Sequence, residues 1–384
     1  MPRSYKIAVL PGDGIGREVI PEALRVLKTL ENEVPGIQLE VHEFECGGEY
    51  FLRNKREWSQ EAEDFTKNEA DAILLGAVGA TTPEGNSVRR PDGHLAGYSV
   101  VIGLRIELEL FANVRPVKLY EGVPTPLAGK DHRHVNMIMV RENTEGLYAP
   151  QEAPSRFEDA EVVIDKRVIS RKASIRVSKY AFDLAMKSTG APVDSVKRVT
   201  CVDKSNLLAG CQLFRRCFNE VGEGYPEITR DYAYIDAFTQ WLIRKPEFYN
   251  VVVAPNAFGD IITDLGAAIQ GGLGMAPAGS IGYDKAVFEP VHGSAPKHYG
   301  KMISNPIAAI LSCMMMLEWL GSQYNDQSML QASRIIDVAV ASVLREGKVR
   351  TYDICTDRWS NVTPASTLDV TNDIIRIIEE RSRG

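Results

Sequence analysis

Short apolar, β-branched runs alternate along this chain with longer stretches whose apolar residues recur at helical spacing, and no other feature narrows the possible folds as far. Strands separated by helices that carry the chain back to a neighbouring strand are the mark of an α/β layer architecture. Residues 6–10 (KIAVL) read as a strand. Val19, Ile20, Ala23, Leu24, Leu27 and Leu30 then recur as one face of an amphipathic helix over residues 17–30. Ile37, Leu39 and Val41 alternate as a half-buried strand, and residues 72–75, 135–140 and 251–254 read as further strands. A helix is predicted over 258–270, closed by Gly271-Gly272, followed by helices over 306–317, 328–344 and 368–380. Residues 161–170 (EVVIDKRVIS) combine β character with charge, which suits an exposed two-stranded element. Residues 81–94 form the most polar stretch, a long loop near a site.

A length of 384 residues corresponds to two domains at roughly 150 residues each. The six cysteines contain no C-x-x-C pair and read as reduced, buried thiols of a cytoplasmic protein. Residues 7–10 are too short for the core of an export signal, and the longest apolar stretch, 307–317, falls short of the ~20 residues that span a bilayer. With 44 Lys+Arg against 51 Asp+Glu and no basic block, the net charge of −7 also argues against nucleic acid as a partner. A small anionic substrate stays open, since a few local residues decide it.

PGDGIG (residues 11–16), between a strand and a helix, looks like the start of a dinucleotide fingerprint, but Arg17 stands where G-x-G-x-x-G needs its last glycine. It is better read as a tight turn than as a pyrophosphate cradle. Asp260 and Asp264 are four apart on a predicted helix and share one face. Alone they would be a solvated helix face; Asp236, an acid in the otherwise apolar YIDAFTQWL, makes a third oxygen donor of the kind that holds Mg²⁺ or Mn²⁺. The histidines and cysteines lack zinc-ligand spacing. Arg105, Arg115 and Arg141 each lie at or near the edge of an apolar run, and converging arginines would bind a dicarboxylate. Lys204, after a predicted buried strand, and Tyr148, closing VRENTEGLY, have the chemistry of a proton-transfer pair.

The segments VLPGDGIGREV, LFANVRPVKLY, VRENTEGLY, VDKSNLL, YIDAFTQWL, NAFGDIITDLGAAIQGGLGMAPAGSIG and FEPVHGSAPKHYGKMISNPIAAILS stand in one collinear order over almost the whole chain. Together they resemble the isocitrate/isopropylmalate dehydrogenase family, metal-dependent β-decarboxylating dehydrogenases of 2-hydroxy acids. The resemblance implies a two-domain α/β fold that is not a Rossmann fold, with interleaved domains. One, on the cofactor side, is built from residues 1–110 plus 271–384. The other, from 111–270, serves dimerisation, metal and substrate, with a dimer arm near 155–175. It further implies that Arg105, Arg115 and Arg141 hold the substrate carboxylates. Asp260 and Asp264, with Asp236 from a second subunit, would ligate Mg²⁺ or Mn²⁺. Lys204, also across the dimer interface, would be the base and Tyr148 the acid. Glu289, His292, Gly293, Ser294, Ala295 and Asn305 match the loop that binds the nicotinamide cofactor.

Substrate choice in the family is read just before the first arginine. Ser99 is present, as in isocitrate enzymes, but Val101 and Ile102 replace the polar reader two residues on with an apolar wall. That favours the alkyl group of 3-isopropylmalate, with tartrate/D-malate and isocitrate or homoisocitrate as alternatives. Lys297 stands where NAD-using members carry an aspartate, and Tyr352 falls at another phosphate contact of NADP-using ones, while Thr356 replaces the accompanying arginine. A lysine can pair with a 2′-phosphate, so NAD and NADP are both open. A reading of a different class, a non-catalytic regulatory subunit, is opposed by the presence of Tyr148, Lys204, Asp236, Asp260 and Asp264 together.

Overall fold

The first two buried runs, β1 (Tyr5–Leu10) and β3 (Ala72–Leu75), pair in parallel, with β2 (Leu39–Glu43) on the outer edge of β1. The computed structural model of the chain describes residues 3–148, 161–355 and 362–382. Later strands are β4 (Ala112–Lys118), β5 (Asn136–Glu142), β6 (Arg198–Asp203), β7 (Thr229–Tyr234), β8 (Val251–Ala254), β9 (Pro277–Ile281) and β10 (Ala286–Pro290). They join one ten-stranded sheet of order β2-β1-β3-β10-β9-β4-β5-β8-β6-β7. A Rossmann sheet has a different order and is mostly parallel.

Two parallel blocks make up this sheet. Strands β2, β1, β3 and β10, from the two ends of the chain, are parallel to one another, as are β5, β8, β6 and β7 from its middle. Between them β9 and β4 pair antiparallel, so the two blocks run in opposite directions. The seam β9–β4 has only three residue pairs, Ala112 with Ile281, Asn113 with Ser280 and Val114 with Gly279.

The expected helices are present and somewhat longer than their periodicity suggested. Residues Gly16–Glu33 bury Val19, Ile20, Ala23, Leu27 and Leu30. Asn256–Ile269 is followed by Gly271 and Gly272, both at positive φ, where glycine reverses the chain without strain. Helix Ile307–Tyr324 is apolar on nearly every face because it runs through the middle of its layer, packed on β3, β9, β10 and helix Gln327–Glu346. Thr367–Ser382 closes against Gly16–Glu33, so the two ends of the chain meet.

Residues 161–170 make one isolated bridge, Val168 to Gly146, with Val162 and Ile164 77% and 80% exposed and Ile169 packed against the core. The rest of the expected arm, before residue 161, lies outside the described residues. Five of the six cysteines are buried, as expected. Among the described residues no helix is long and apolar enough to cross a membrane.

Candidate active site

The charged cluster predicted from scattered arginines and aspartates assembles where helix Asn256–Ile269 crosses β5 and β4. Arg141 sits near the carboxyl end of β5, and Gly259 lets the helix approach it: a Cβ there would stand 2.7 Å from the Arg141 side chain. Asn256, the first residue of the helix, accepts from Nε and Nη2 of Arg141 at 2.9 and 2.8 Å and donates to the Glu145 carbonyl at 2.7 Å. The remaining Arg141 nitrogen, Nη1, pairs with Asp260. Arg115 on β4 is held likewise. Its Nε donates to Asn113 at 2.9 Å, Nη1 reaches Asp264 at 2.9 Å, and Nη2 lies 3.6 Å from Asp260.

Both guanidiniums are buried while the aspartates face solvent, with Asp264 61% exposed. Burial pushes the Arg141 guanidinium down to about 10 and that of Arg115 in the same direction, against the opposing pull of Asp260. Tyr148 brings its hydroxyl to 3.4 Å from Asp260, with the Arg141 guanidinium 5.6 Å from its ring centre. Burial, then the Asp260 charge, raises its pKa above the usual tyrosine value. Arg105, on the short helix Leu104–Glu107, lies 3.4 Å from Glu289 at the end of β10. One face therefore presents fixed cationic planes for a dianion beside carboxylate oxygens open to a hard cation.

Lys204 and Asp236 follow β6 and β7 and pair with each other at 2.6 Å. The hydrogen bond from Lys204 lowers the Asp236 pKa, and Asp236 remains largely exposed. The three expected metal ligands are thus divided, Asp260 with Asp264 and Asp236 apart. Among the described residues of one chain, no three His, Cys, Asp or Glu side chains come together to enclose a metal ion.

The expected cofactor loop is seated on the PGDGIG turn, which explains that motif. The Ile15 amide donates to the Ser294 carbonyl at 2.9 Å, and Gly14, at φ +52°, is pressed against the same carbonyl where a Cβ has no room. Asp13, fully buried, accepts amides of Gly48, Glu49 and Gly79 at 2.8–2.9 Å and so ties two segments to the turn. Ser294 is buried, Gly293 faces open space, and Ala295 adopts the left-handed region at φ +38°. His292 has Nδ1 3.1 Å from the Gly293 carbonyl, whereas its Nε2 is shielded from solvent and has no partner; burial lowers its pKa. Asn305 accepts the Ile307 amide at 3.0 Å and donates to Asp353 at 3.1 Å. Lys297 is exposed, Tyr352 meets His298 Nδ1 at 3.1 Å, and Thr356 lies outside the described residues.

At the substituent end, Ser99 opens a π-helical turn, Ser99–Gly103, that runs into the helix of Arg105. Its hydroxyl is bonded to Glu57. Val101 packs on a second core with Phe44, Val78 and Leu108, and Ile102 is half-buried. Asp13, Glu57, Asn113 and Asn256 were not singled out from sequence. The first had a visible signal in an acid enclosed by two glycines; Asn256 had one in its place between a strand and the acids of the next helix.

A fold and face of this kind define a class of α/β protein that sets buried arginines beside solvent-facing aspartates. Comparison with known proteins makes the class particular. The family model described as isocitrate/isopropylmalate dehydrogenase matches residues 6–374, and the chain belongs to that family. It is 40% identical over 318 residues to the 3-isopropylmalate/3-methylmalate dehydrogenase of Methanocaldococcus jannaschii, covering 83% of this chain and 86% of the relative. It is 37% identical over 359 residues to the D-malate dehydrogenase [decarboxylating] of Escherichia coli, covering 90% and 93%. The crystal structure of isocitrate dehydrogenase from Methylococcus capsulatus superposes with a TM-score of 0.81 at 33% identity, over 97% of this chain and 99% of that one. The chain is an enzyme of the decarboxylating dehydrogenase class.

Proposed function

We propose that this enzyme oxidatively decarboxylates a 3-alkyl-substituted (2R)-malate, 3-isopropylmalate foremost, with hydride transfer to NAD(P). The observation that carries the reading is the convergence of buried Arg115 and Arg141 on Asp260 and Asp264, with half-buried Ile102 on the approach to Arg105. D-malate is the second reading, favoured by the likeness to a D-malate dehydrogenase and by Val101, which packs inward and leaves Ile102 as the wall.

The residues present fit the groups the family implies. Asp260 and Asp264 offer exposed hard oxygens for Mg²⁺ or Mn²⁺, to be completed by Asp236 of a second copy, and the unpartnered His292 Nε2 sits in the loop for the nicotinamide cofactor with Glu289, Gly293, Ser294, Ala295 and Asn305. When bound, the metal polarises the substrate's hydroxyl and carboxylate oxygens and the nicotinamide accepts the hydride. Arg105, Arg115 and Arg141 orient the diacid. Lys204 takes the hydroxyl proton, C–C cleavage releases the carboxylate β to the new ketone as CO₂, and Tyr148 delivers a proton to the carbon left behind. In this reading closure of residues 1–110 plus 271–384 against 111–270 excludes water.

A homodimer with shared sites and a cytoplasmic setting belong to the same reading. The dimer is supported by the exposed Lys204–Asp236 pair and by the exposure of Trp241, Ile243 and Ile261 on helices Ile235–Arg244 and Asn256–Ile269; the setting by the buried thiols. The test is a Mg²⁺-dependent rise in absorbance at 340 nm with NAD or NADP across 3-isopropylmalate, D-malate, tartrate and isocitrate. Turnover of 3-isopropylmalate is expected to lead; faster turnover of isocitrate overturns the substrate reading.

A further inference from the structure

Tyr148 stands at the charged face with little to hold its own side chain. It is 47% exposed, and among the described residues its hydroxyl makes one long hydrogen bond, 3.4 Å to Asp260, beside the Arg141 guanidinium. Its placement is therefore inherited from the turn 142–148 that carries it off the end of β5. That turn is tied down from several directions. The buried Glu142 carboxylate accepts the amides of Thr144 and Glu145 at 2.9 and 3.0 Å and the Thr144 hydroxyl at 2.7 Å, and that hydroxyl accepts in turn from Arg176 at 2.7 Å. The Glu145 carbonyl accepts from Asn256, the residue that grips Arg141. The Glu145 side chain is buried and reaches out of the turn: Oε1 accepts the Ser170 amide at 2.8 Å, and beside it Gly146 and Val168 exchange main-chain bonds at 2.9 and 3.2 Å. Ser170 is itself fixed, because its hydroxyl caps helix Arg171–Lys187 by accepting the Ala173 amide at 3.2 Å. Of these side-chain ties, that of Glu145 lies nearest along the chain to Tyr148.

We propose that Glu145 is a positioning residue for Tyr148: by tying the turn to the capped start of helix Arg171–Lys187 it keeps the phenol beside Asp260 and Arg141, where the proton is delivered. A side chain with one weak contact of its own moves with its backbone, and a misplacement of about 1 Å at a reacting group costs up to about 10²-fold in rate. The inference rests on the acid role of Tyr148 in the proposed reaction and deepens it.

The test measures kcat and KM in the full-length enzyme with Mg²⁺, NAD(P) and whichever of 3-isopropylmalate and D-malate it turns over faster, for Glu145→Ala, Glu145→Gln, Tyr148→Phe and the double variant Glu145→Ala/Tyr148→Phe. Glu145→Ala is expected to lower kcat about tenfold while KM moves less than about twofold. Glu145→Gln should recover most of that loss, since its amide oxygen still accepts the Ser170 amide. In the Tyr148→Phe background the same Glu145→Ala change should move kcat by less than about twofold, because the group it positions is gone. An equal loss in both backgrounds, an unchanged kcat in Glu145→Ala, or a Glu145→Gln variant as slow as Glu145→Ala overturns the proposal. Should Glu145→Ala fail to fold, Glu145→Asp keeps the charge but draws it back by one methylene and must lower kcat about threefold in the parent and not in Tyr148→Phe; no change overturns the proposal. Near-normal turnover by Tyr148→Phe overturns the acid role in the proposed function, whereas a steep loss there with an additive Glu145→Ala loss overturns this inference alone.

Discussion

The arginine–aspartate cluster and the Lys204–Asp236 pair carry the same two charges and are built in opposite ways. Arg115 and Arg141 are buried, and each is gripped by an asparagine that is itself bonded to main chain or to a serine, so their planes are fixed before any ligand arrives. Lys204 and Asp236 pair with each other, with the Tyr234 ring 5.8 Å from the ammonium, on a surface where the aspartate is two-thirds exposed. A buried, anchored group is pre-organised by its own chain. An exposed pair costs little to break and re-form, as befits groups proposed to be completed by a second copy.

The largest expected effect tests the unanchored side. Lys204→Met and Tyr148→Phe should each lower kcat by about 10²–10⁴ with cofactor affinity nearly intact, and near-normal turnover in both would remove their roles. Mixing the two variants sharpens this. If Lys204 serves its neighbour, a mixed dimer keeps one site with both groups, and random reassortment should restore about a quarter of the parent activity. No recovery would return Lys204 to its own chain.

On the anchored side, Asn256→Ala should raise KM for the diacid about tenfold and lower stability by about 2–3 kcal/mol, because two nitrogens of a buried guanidinium lose their acceptor and only the Asp260 contact remains. Initial rates and a thermal melt read both. Next comes pH. Tyr148 acts in its protonated form and its pKa is raised by burial and then by the Asp260 charge, so kcat should hold as pH rises toward the usual tyrosine value and fall only beyond it. A fall in kcat well below that value would detach the alkaline limb from Tyr148. The smallest effect concerns cofactor choice: Lys297→Asp should shift the kcat/KM ratio several-fold toward NAD, since aspartate accepts ribose hydroxyls and repels a 2′-phosphate. An unchanged ratio would leave Lys297 without a part in that choice.

Legibility followed the same division. Runs such as KIAVL and the face of residues 17–30 announce themselves because burial of a strand or a helix stripe writes a period into the sequence. Strands β9 and β10 were not singled out, since PAGSI and AVFEP have neither alternation nor length, and they hold together by pairing across the sheet. Charged residues at strand ends were visible as chemistry. Their anchors were not, because Asn256 meets Arg141 across a sequence separation of 115 residues, and Asn113, though two residues from Arg115, is itself held by Ser280 across 167.

The seam between β9 and β4 has a mechanical consequence. Three residue pairs join the two blocks there, and the Asn113 amide that grips Arg115 also donates to Ser280 across the same seam. A twist of one block of strands against the other would therefore load the clamp on Arg115, the arginine proposed to hold substrate, with the seam as its torsion joint. Since the two blocks belong to one hydrogen-bonded sheet, heat should melt them in one transition.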